Sequence, residues 1–173
     1  METIIYAHPW QGSFNHALLE SLEHHLHVHQ TPYQIIDLYQ DGFNPAFSEQ
    51  ELAHFKDGAP IDPLVTKYQH MLTSSDGLTF IFPIWWSSMP AIVKGFFDKV
   101  MLPGFGYDEK NGWQGKLTWI KHVNILTSSE SNRNELKTIK GNAIQTWFVD
   151  TVLQDIGINR NEVVCKHFGS MHH

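Results

Sequence analysis

Two kinds of hydrophobic pattern alternate along the chain. Short continuous apolar runs over residues 3–7, 33–38, 77–82, 117–126 and 162–168 predict five buried strands. Apolar residues three to four positions apart predict helices over residues 15–27, 64–72, 91–100 and 142–156. Ser48 and Glu51 have the spacing of a capping box, which predicts a short helix ending near Phe55. Residues 102–115 are too rich in turn residues to predict a regular element.

This alternation of strand and helix predicts an α/β fold with a parallel sheet and helices on both faces. Five strands in a chain of 173 residues favour the flavodoxin-like strand order 2-1-3-4-5 over the longer dinucleotide-binding fold. We expect one domain over residues 1–173. Ligands of such sheets bind beyond the carboxyl ends of the strands, so the loops after strands one, three and four are the first places to look for a site.

Composition narrows the classes of function. The single cysteine, Cys165, excludes an internal disulfide and fits a reducing, cytoplasmic compartment. A net charge of −6 with only two arginines argues against a nucleic-acid partner. The longest apolar stretch, residues 78–86, is far shorter than a membrane span, and the first residues lack the basic start of a secretory signal, so no membrane insertion is expected.

The loop after strand one, residues 8–15, leads into a predicted helix. The free backbone N–H groups of a helix N-terminus favour an anion, and His8, Ser13 and Asn15 add polar side chains there. The loop matches neither the dinucleotide fingerprint nor the P-loop motif. Phosphate binding and an ordinary capped loop therefore both remain open.

The other two loops differ sharply in character. After strand three, Trp85 and Trp86 stand between Pro83 and Pro90, and adjacent strand side chains point to opposite sides, so at least one tryptophan should face the crevice. A flat heteroaromatic ligand would suit this loop, although both rings could instead cover the core or a subunit interface. The hydroxyl-rich loop after strand four, residues 127–132, could line a ring edge or be a solvated turn.

Twelve histidines raise the question of a metal site. His25 and His29 have the i, i+4 spacing of helical metal ligands, with His24 and His27 beside them. This cluster falls at the C-terminal end of the first helix, away from the expected ligand edge, where histidine complements the helix dipole. We therefore predict no metal site, and only His8 lies in an expected ligand loop; nothing is inferred from His172 and His173.

Three motifs together resemble the NAD(P)H:quinone oxidoreductase family of flavodoxin-like flavoproteins. They are His8 followed by Ser13-Phe14-Asn15, Asp37-Leu38-Tyr39 with Phe43-Asn44-Pro45, and residues 82–100, FPIWWSSMPAIVKGFFDKV. The resemblance spans residues 2–168. The run from Pro-x-x-Trp into Pro-Ala-x-x-Lys-Gly is its most specific part. The family includes mammalian quinone reductases, bacterial drug-activity modulators and ancillary reductases of potassium-efflux systems.

The resemblance implies a tightly bound flavin and supplies its candidate contacts. His8, Ser13, Phe14 and Asn15 match the residues around the flavin phosphate. Pro83, Ile84, Trp85, Trp86 and Ser87 match the segment along the isoalloxazine ring, and Thr127, Ser128, Ser129 and Glu130 match the loop at its other edge. That loop usually reads Thr-Thr-Gly-Gly, so we expect the Glu130 carboxylate to be unfavourable beside a reduced flavin unless it points away. The catalytic Tyr and His of the mammalian enzymes have no match; Asn134, Glu135 and Lys140 lie there instead.

The function that the resemblance implies is two-electron hydride transfer from NAD(P)H through flavin N5 to a quinone or related electrophile, in a ping-pong sequence. It also implies a homodimer, to which Phe105, Tyr107 and Trp113 could contribute. The short chain favours FMN over FAD, and the sequence does not separate NADH from NADPH. The alternatives are a flavin-binding regulatory subunit, for instance of a membrane transporter, and a one-electron carrier of flavodoxin type.

Overall fold

A five-stranded parallel sheet organises the computed structural model, which describes residues 1–170. Its strands are β1 Glu2–Tyr6, β2 Tyr33–Asp37, β3 Gly77–Pro83, β4 His122–Ser128 and β5 Val163–Phe168. They lie in the order β2-β1-β3-β4-β5, which confirms the predicted topology. The expected single domain runs on to residue 173, so its last three residues, His172 and His173 among them, lie outside the described residues.

Helices connect the strands where the sequence predicts them, and one further helix, Arg133–Thr138, is present that the sequence analysis does not predict. Their bounds are α1 Phe14–Val28, α2 Glu49–Ala53, α3 Pro63–Thr73, α4 Ala91–Val100, α5 Arg133–Thr138 and a π-helix Ile144–Val152 that continues as α6 Leu153–Asp155. Short 3₁₀ turns cover Phe55–Asp57 and Arg160–Glu162. The predicted capping box of Ser48 and Glu51 is confirmed at α2. None of the helices within residues 1–170 is long and apolar enough to cross a membrane.

Both faces of the sheet are covered, because alternate side chains of each strand point to opposite sides. On one face, Ile4 and Tyr6 of β1 pack with Leu19 and Leu26 of α1. On the other face lies the larger core, built on Ile5 and on Phe80 and Phe82 of β3, with side chains from α3, α4 and the π-helix. Every residue of β1 and β3 is buried, as expected for the central strands of a parallel sheet.

The fourth strand begins later than the hydrophobic pattern predicts. The apolar run over residues 117–126 predicts a strand from Leu117, but β4 starts at His122. Leu117 and Ile120 belong to a turn in which the Ile120 N–H donates to the Leu117 carbonyl at 3.2 Å, and both side chains are buried in the core. Burial of a turn thus gives the same apolar signal as a strand, which periodicity alone does not resolve.

Two further segments depart from the sequence-based expectations. Residues 102–115 contain two short antiparallel strands, Tyr107–Asp108 and Gln114–Gly115, and the Tyr107 ring stacks on Trp113 with centroids 4.1 Å apart. The helix predicted over residues 142–156 is present, but nine of its residues have π-helical hydrogen bonding. Long π-helical runs are rare and leave a wider helix, a feature often found near functional sites.

A buried lysine of helix α4, Lys99, links this helix to the segment between β2 and α3. Lys99 Nζ lies 2.8 Å from the Glu51 carboxylate and 3.1 Å from that of Asp62, and it donates to the Asn44 carbonyl at 3.0 Å. Burial acts to raise the pKa of the Glu51 carboxyl, but hydrogen bonds from Lys99 and Ser48 outweigh it and hold this pKa below its ordinary value. The lysine is almost fully buried, so its charge depends on these partners.

Candidate functional site

The loops after β1, β3 and β4 meet because these three strands are neighbours in the sheet and run parallel. They enclose an open cavity of about 530 Å³. Twelve of the thirteen residues predicted to hold a cofactor line it: His8, Ser13, Phe14, Asn15, Pro83, Ile84, Trp85, Trp86, Ser87, Ser128, Ser129 and Glu130. The thirteenth, Thr127, lines a smaller adjoining cavity instead. Ser131 of the same loop, together with Leu136 and Lys140, completes the lining of the large cavity, and none of these three was among the predicted cofactor contacts.

Helix α1 directs its N-terminus at this cavity. Ser13 is the N-cap, and its hydroxyl accepts a hydrogen bond from the His16 N–H at 3.1 Å. The first turn contains no acidic residue, so the positive end of the helix dipole is left without a carboxylate from its own helix. Ser13 and Phe14 both line the cavity, and the Phe14 ring makes an edge contact with Phe168 at 5.4 Å. This end of the cavity suits an anionic group.

Asn15 connects two of the loops and leaves one polar atom unused. Its side chain is 2% exposed, and Nδ2 donates to the Ser128 hydroxyl at 2.8 Å. Its Oδ1 atom is buried and has no hydrogen-bond partner within residues 1–170. A buried acceptor without a partner is uncommon and costly in a folded protein. Since Asn15 lines the cavity, a ligand with a hydroxyl or N–H donor would supply the missing bond.

The tryptophan loop is a tight turn with unusual backbone angles. Trp85 and Ser88 exchange backbone hydrogen bonds of 2.9 and 3.1 Å across it. Trp86 and Ser87, between them, have φ of 51° and 64°. Two successive positive φ values define a type I′ turn, for which Asn-Gly is the usual sequence. A tryptophan in this conformation is strained, and such strain is concentrated at functional sites.

The strained turn determines where both rings lie. The Trp86 side chain is fully exposed at the cavity, and Trp85 is 43% exposed with its ring in edge contact with His8 at 6.1 Å. The Ile84 N–H donates to the Ser128 carbonyl at 2.8 Å and so fixes the start of the turn to the end of β4. Both tryptophans therefore line the cavity, where the strand-based argument required at least one.

His167 holds the loop after β4, a role that the sequence reasoning missed. Its Nε2 lies 2.9 Å from the Ser131 carbonyl, which only accepts, so Nε2 carries the proton. Nδ1 lies 2.9 Å from the Thr127 hydroxyl. Thr127 and His167 are register partners on β4 and β5, a relation that becomes visible only once the strands are paired. Thr127 thus supports the loop through His167 instead of lining the large cavity.

Charged groups of both signs surround the cavity mouth. Glu130 and Lys140 line it and are exposed. The Ser170 N–H donates to the Glu130 carbonyl at 3.2 Å, so the backbone of this loop is fixed although its sequence departs from Thr-Thr-Gly-Gly. Glu130 therefore remains among the residues that line the cavity. Solvent and the nearby lysine are what can moderate its charge beside an anionic ring.

Neither the cysteine nor the histidine cluster offers an alternative chemical centre. Burial raises the pKa of the Cys165 thiol, an effect that Arg133 opposes and Asp150 reinforces, so the thiol stays protonated near neutral pH. His25 and His29 lie at the end of α1, where His29 Nδ1 is 2.8 Å from the His25 carbonyl. Among residues 1–170 no three His, Cys, Asp or Glu side chains are grouped so that they could hold a metal ion.

Comparison with known proteins gives consistent relatives. Residues 3–169 match the Flavodoxin_2 family, described by its flavodoxin-like fold. An uncharacterized NAD(P)H oxidoreductase of Haemophilus influenzae is 31% identical over 135 residues, 78% of this chain and 66% of that protein. NAD(P)H dehydrogenase (quinone) 1 of Rattus norvegicus is 28% identical over 160 residues, 80% and 57% of the two chains. The chain thus spans less than two thirds of the length of either relative.

A solved structure agrees closely with the fold. The NAD(P)H:quinone oxidoreductase from Methanothermobacter marburgensis superposes with a TM-score of 0.88 at 26% sequence identity. The match covers 99% of this chain and 87% of that one. The similarity therefore includes all three loops that enclose the cavity.

Proposed function

Since the chain belongs to the Flavodoxin_2 family, with relatives named NAD(P)H oxidoreductases and quinone dehydrogenases, we propose that it is a flavin-dependent NAD(P)H:quinone oxidoreductase. One observation carries the proposal. A single cavity combines a helix N-terminus without acidic residues, two accessible tryptophan rings and a buried acceptor that has no partner within residues 1–170. An anionic tail, a flat ring and a polar edge are the parts of a flavin mononucleotide.

The residues present fit such a group. The cavity volume of about 530 Å³ lies within the range of about 300–1,000 Å³ that is usual for small-molecule sites. Asn15 Oδ1 needs a donor, which a ribityl hydroxyl or a ring N–H provides. The I′ turn at Trp86 and Ser87 holds the backbone of the third loop in a fixed shape at the cavity wall. A preformed wall of this kind reduces the ordering cost of binding a rigid ring.

Each loop receives one part of the cofactor in this proposal. His8, Ser13, Phe14 and Asn15 would hold the phosphate and ribityl end at the N-terminus of α1. The tryptophan turn, residues 83–87, would lie along the ring system, and Ser128, Ser129 and Glu130 would line its other edge. Thr127 contributes indirectly, because its hydroxyl bond to His167 positions this last loop.

The chemistry follows from the cofactor, which when bound accepts a hydride from NAD(P)H at N5 and passes it to a quinone in a second half-reaction. The protein's own residues bind and orient the reactants. The Trp85 and Trp86 rings would offer flat, accessible faces for nicotinamide and then for quinone. Lys140 places a positive charge at the mouth of the cavity, opposing the negative charge of Glu130. No side chain is assigned as a proton donor.

The assembly and location form part of the same proposal. Trp10 and Trp113 are 60% and 54% exposed, and large exposed aromatic side chains are enriched at protein interfaces. We therefore infer a homodimer, which light scattering after gel filtration would test. A free thiol at Cys165 fits a cytoplasmic location, where thiols stay reduced. A role as an ancillary subunit of a transporter would additionally require flavin occupancy to change the affinity for that partner.

The decisive experiment is spectroscopic. The purified protein, incubated with FMN or FAD in parallel, should bind one of them and show flavin absorption. Anaerobic mixing with NADPH or NADH should bleach this absorption, and benzoquinone should restore it. If neither flavin binds, the cofactor assignment is wrong. If flavin binds but neither nicotinamide bleaches it, a one-electron carrier becomes the better description.

A further inference from the structure

A smaller cavity, which the proposed function leaves unused, adjoins the large one. Its volume is about 60 Å³, and Ile84, Ser87 and Leu136 line both cavities. A group that rests against these three residues in the large cavity therefore lies next to the smaller one. We call the smaller cavity the side cavity.

The wall of the side cavity is mainly apolar. Ile84 and Leu136 are buried there, and Ala143 and Ile144 add aliphatic surface at the start of the π-helix. Cys165 contributes a thiol, and burial raises the pKa of this thiol and so keeps it neutral. Such a wall favours an occupant that gains by leaving water.

Polar side chains around the side cavity already have partners. His167 Nδ1 lies 2.9 Å from the Thr127 hydroxyl. The Gln145 amide donates to Asp150 Oδ1 at 3.0 Å, and Asp150 is also paired with Arg160. These groups therefore do not require a polar ligand to satisfy them.

The charges near the side cavity are of both signs. Arg133 and Lys137 line it, but both side chains are exposed, so their charged ends remain in water while their carbon stems border the cavity. Arg133 acts to lower the pKa of the Cys165 thiol and Asp150 acts to raise it. The charges therefore give no reason to expect an ionic occupant.

We propose that the side cavity receives an apolar substituent of the quinone acceptor while the quinone ring lies in the large cavity. The inference rests on the proposed function, because it takes the large cavity as the place where the acceptor meets the flavin. A methylene group is similar in size to a water molecule, which needs about 10–15 Å³ of such a space, so about 60 Å³ admits about four to six carbons. The preferred acceptor is therefore an alkyl-substituted quinone.

The test measures binding to the oxidised, flavin-loaded protein, in which the quinone is not reduced. Quenching of tryptophan fluorescence gives Kd for trimethylbenzoquinones whose fourth substituent is methyl, butyl or octyl. Each buried methylene tightens binding by up to about fourfold, so the butyl compound should bind about 10- to 60-fold more tightly than the methyl compound. The octyl compound should gain little more, because the side cavity holds only the first carbons of its chain.

Ala143→Leu fills the side cavity without changing a residue that lines the large one. This variant should lose most of the preference for butyl over methyl and keep its affinity for FMN. Ala143→Val adds less volume and should lose part of the preference. Ala53→Leu is the matched control, since it makes the same change at an exposed helical residue that lines neither cavity, and it should leave every affinity unchanged.

Equal affinities for the methyl and butyl compounds in the unaltered protein would overturn the inference, as would an equally steep gain from butyl to octyl. A full butyl preference in Ala143→Leu, with a melting temperature that shows a folded protein, would overturn it too. If both Ala143 variants fail to fold, the chain-length series on the unaltered protein decides. Flavin that is bleached and reoxidised with no effect of the substituent would support the oxidoreductase and refute the side cavity. A butyl preference in a protein whose flavin neither nicotinamide bleaches would support the side cavity and refute the oxidoreductase.

Discussion

Asn15→Leu separates the binding role of this residue from its structural role. The side chain has two polar ends in different situations, since Nδ2 donates to Ser128 and Oδ1 has no partner within residues 1–170. Leucine has a similar shape but removes both polar ends. The variant should therefore have almost normal stability without flavin and a clear defect with it.

The expected magnitudes come from the two ends separately. Loss of the 2.8 Å bond to Ser128 costs about 1 kcal/mol, and a hydroxyl left unsatisfied adds about 1–3 kcal/mol. Removal of the buried Oδ1, which already lacks a partner, offsets this loss, because it relieves a desolvation cost of about 1–3 kcal/mol. The free energy of unfolding without flavin should thus fall by no more than about 3 kcal/mol. Flavin binding loses one buried hydrogen bond, about 1–2 kcal/mol, which raises Kd about 5- to 30-fold.

The assay combines urea unfolding of the flavin-free protein with fluorescence titration of FMN. Ser128→Ala is the matched control, because it removes the same interloop bond and leaves Oδ1 in place. The control should destabilise the protein modestly and, because Oδ1 stays in place, should weaken FMN binding less than Asn15→Leu does. If Asn15→Leu bound FMN as tightly as the unaltered protein, Oδ1 would have no ligand to accept from and the reasoning would be refuted. A loss of more than about 4 kcal/mol without flavin would equally show a structural residue.

Four further outcomes are expected. Trp86→Ala should leave the melting temperature unchanged, because the ring is fully exposed, but should lower kcat/KM for quinone; unchanged kinetics would make the ring dispensable. Ser87→Gly should stabilise the protein by up to about 1 kcal/mol in thermal unfolding, since glycine tolerates φ of 64°. Lys99→Met should lower the free energy of unfolding by about 3–5 kcal/mol in urea, whereas Lys94→Met, at an exposed helical pair, should cost under about 0.5 kcal/mol. Because the folded-state pKa of Glu51 is lowered, its stabilising contribution is present above the ordinary carboxyl pKa and is lost as pH falls through the folded value. Glu51→Gln should therefore weaken the dependence of the free energy of unfolding on pH in the acid range. An unaltered pH dependence would contradict the assignment.

The sequence predicts the sheet well because each of its strands gives a distinct local signal. Strands β1 and β3 are continuous apolar runs closed by Pro9 or Pro83, and helices α1 and α2 start at serines with side-chain caps. These signals depend on residues adjacent in the chain. The predicted start of β4 was wrong because Leu117 and Ile120 belong to a turn and not to a strand. Their side chains are buried by parts of the chain that are distant in sequence, which a local pattern does not reveal.

The same distinction between local and distant determinants applies to the residues of the candidate site. Loops at the carboxyl ends of neighbouring strands converge by topology, so twelve of the predicted residues meet in one cavity without further information. His167 escapes such reasoning, because it acts through a register partner across the sheet, and so does Leu136, which reaches the cavity from helix α5. Partners set by pairing and packing leave no periodic mark in the sequence.

Two costs in the folded chain lie at the same place. Trp86 and Ser87 occupy left-handed backbone regions, at about 1–3 kcal/mol each, and Asn15 buries an acceptor without a partner within residues 1–170. Neither cost improves the packing of the core, since the Trp86 ring is fully exposed and Asn15 lines the cavity. A ligand that donates to Asn15 Oδ1 recovers part of the second cost, and by resting against the preformed turn it benefits from the first. Strain and unmet polarity therefore coincide at this cavity because it is shaped for a bound group rather than for the stability of the empty fold.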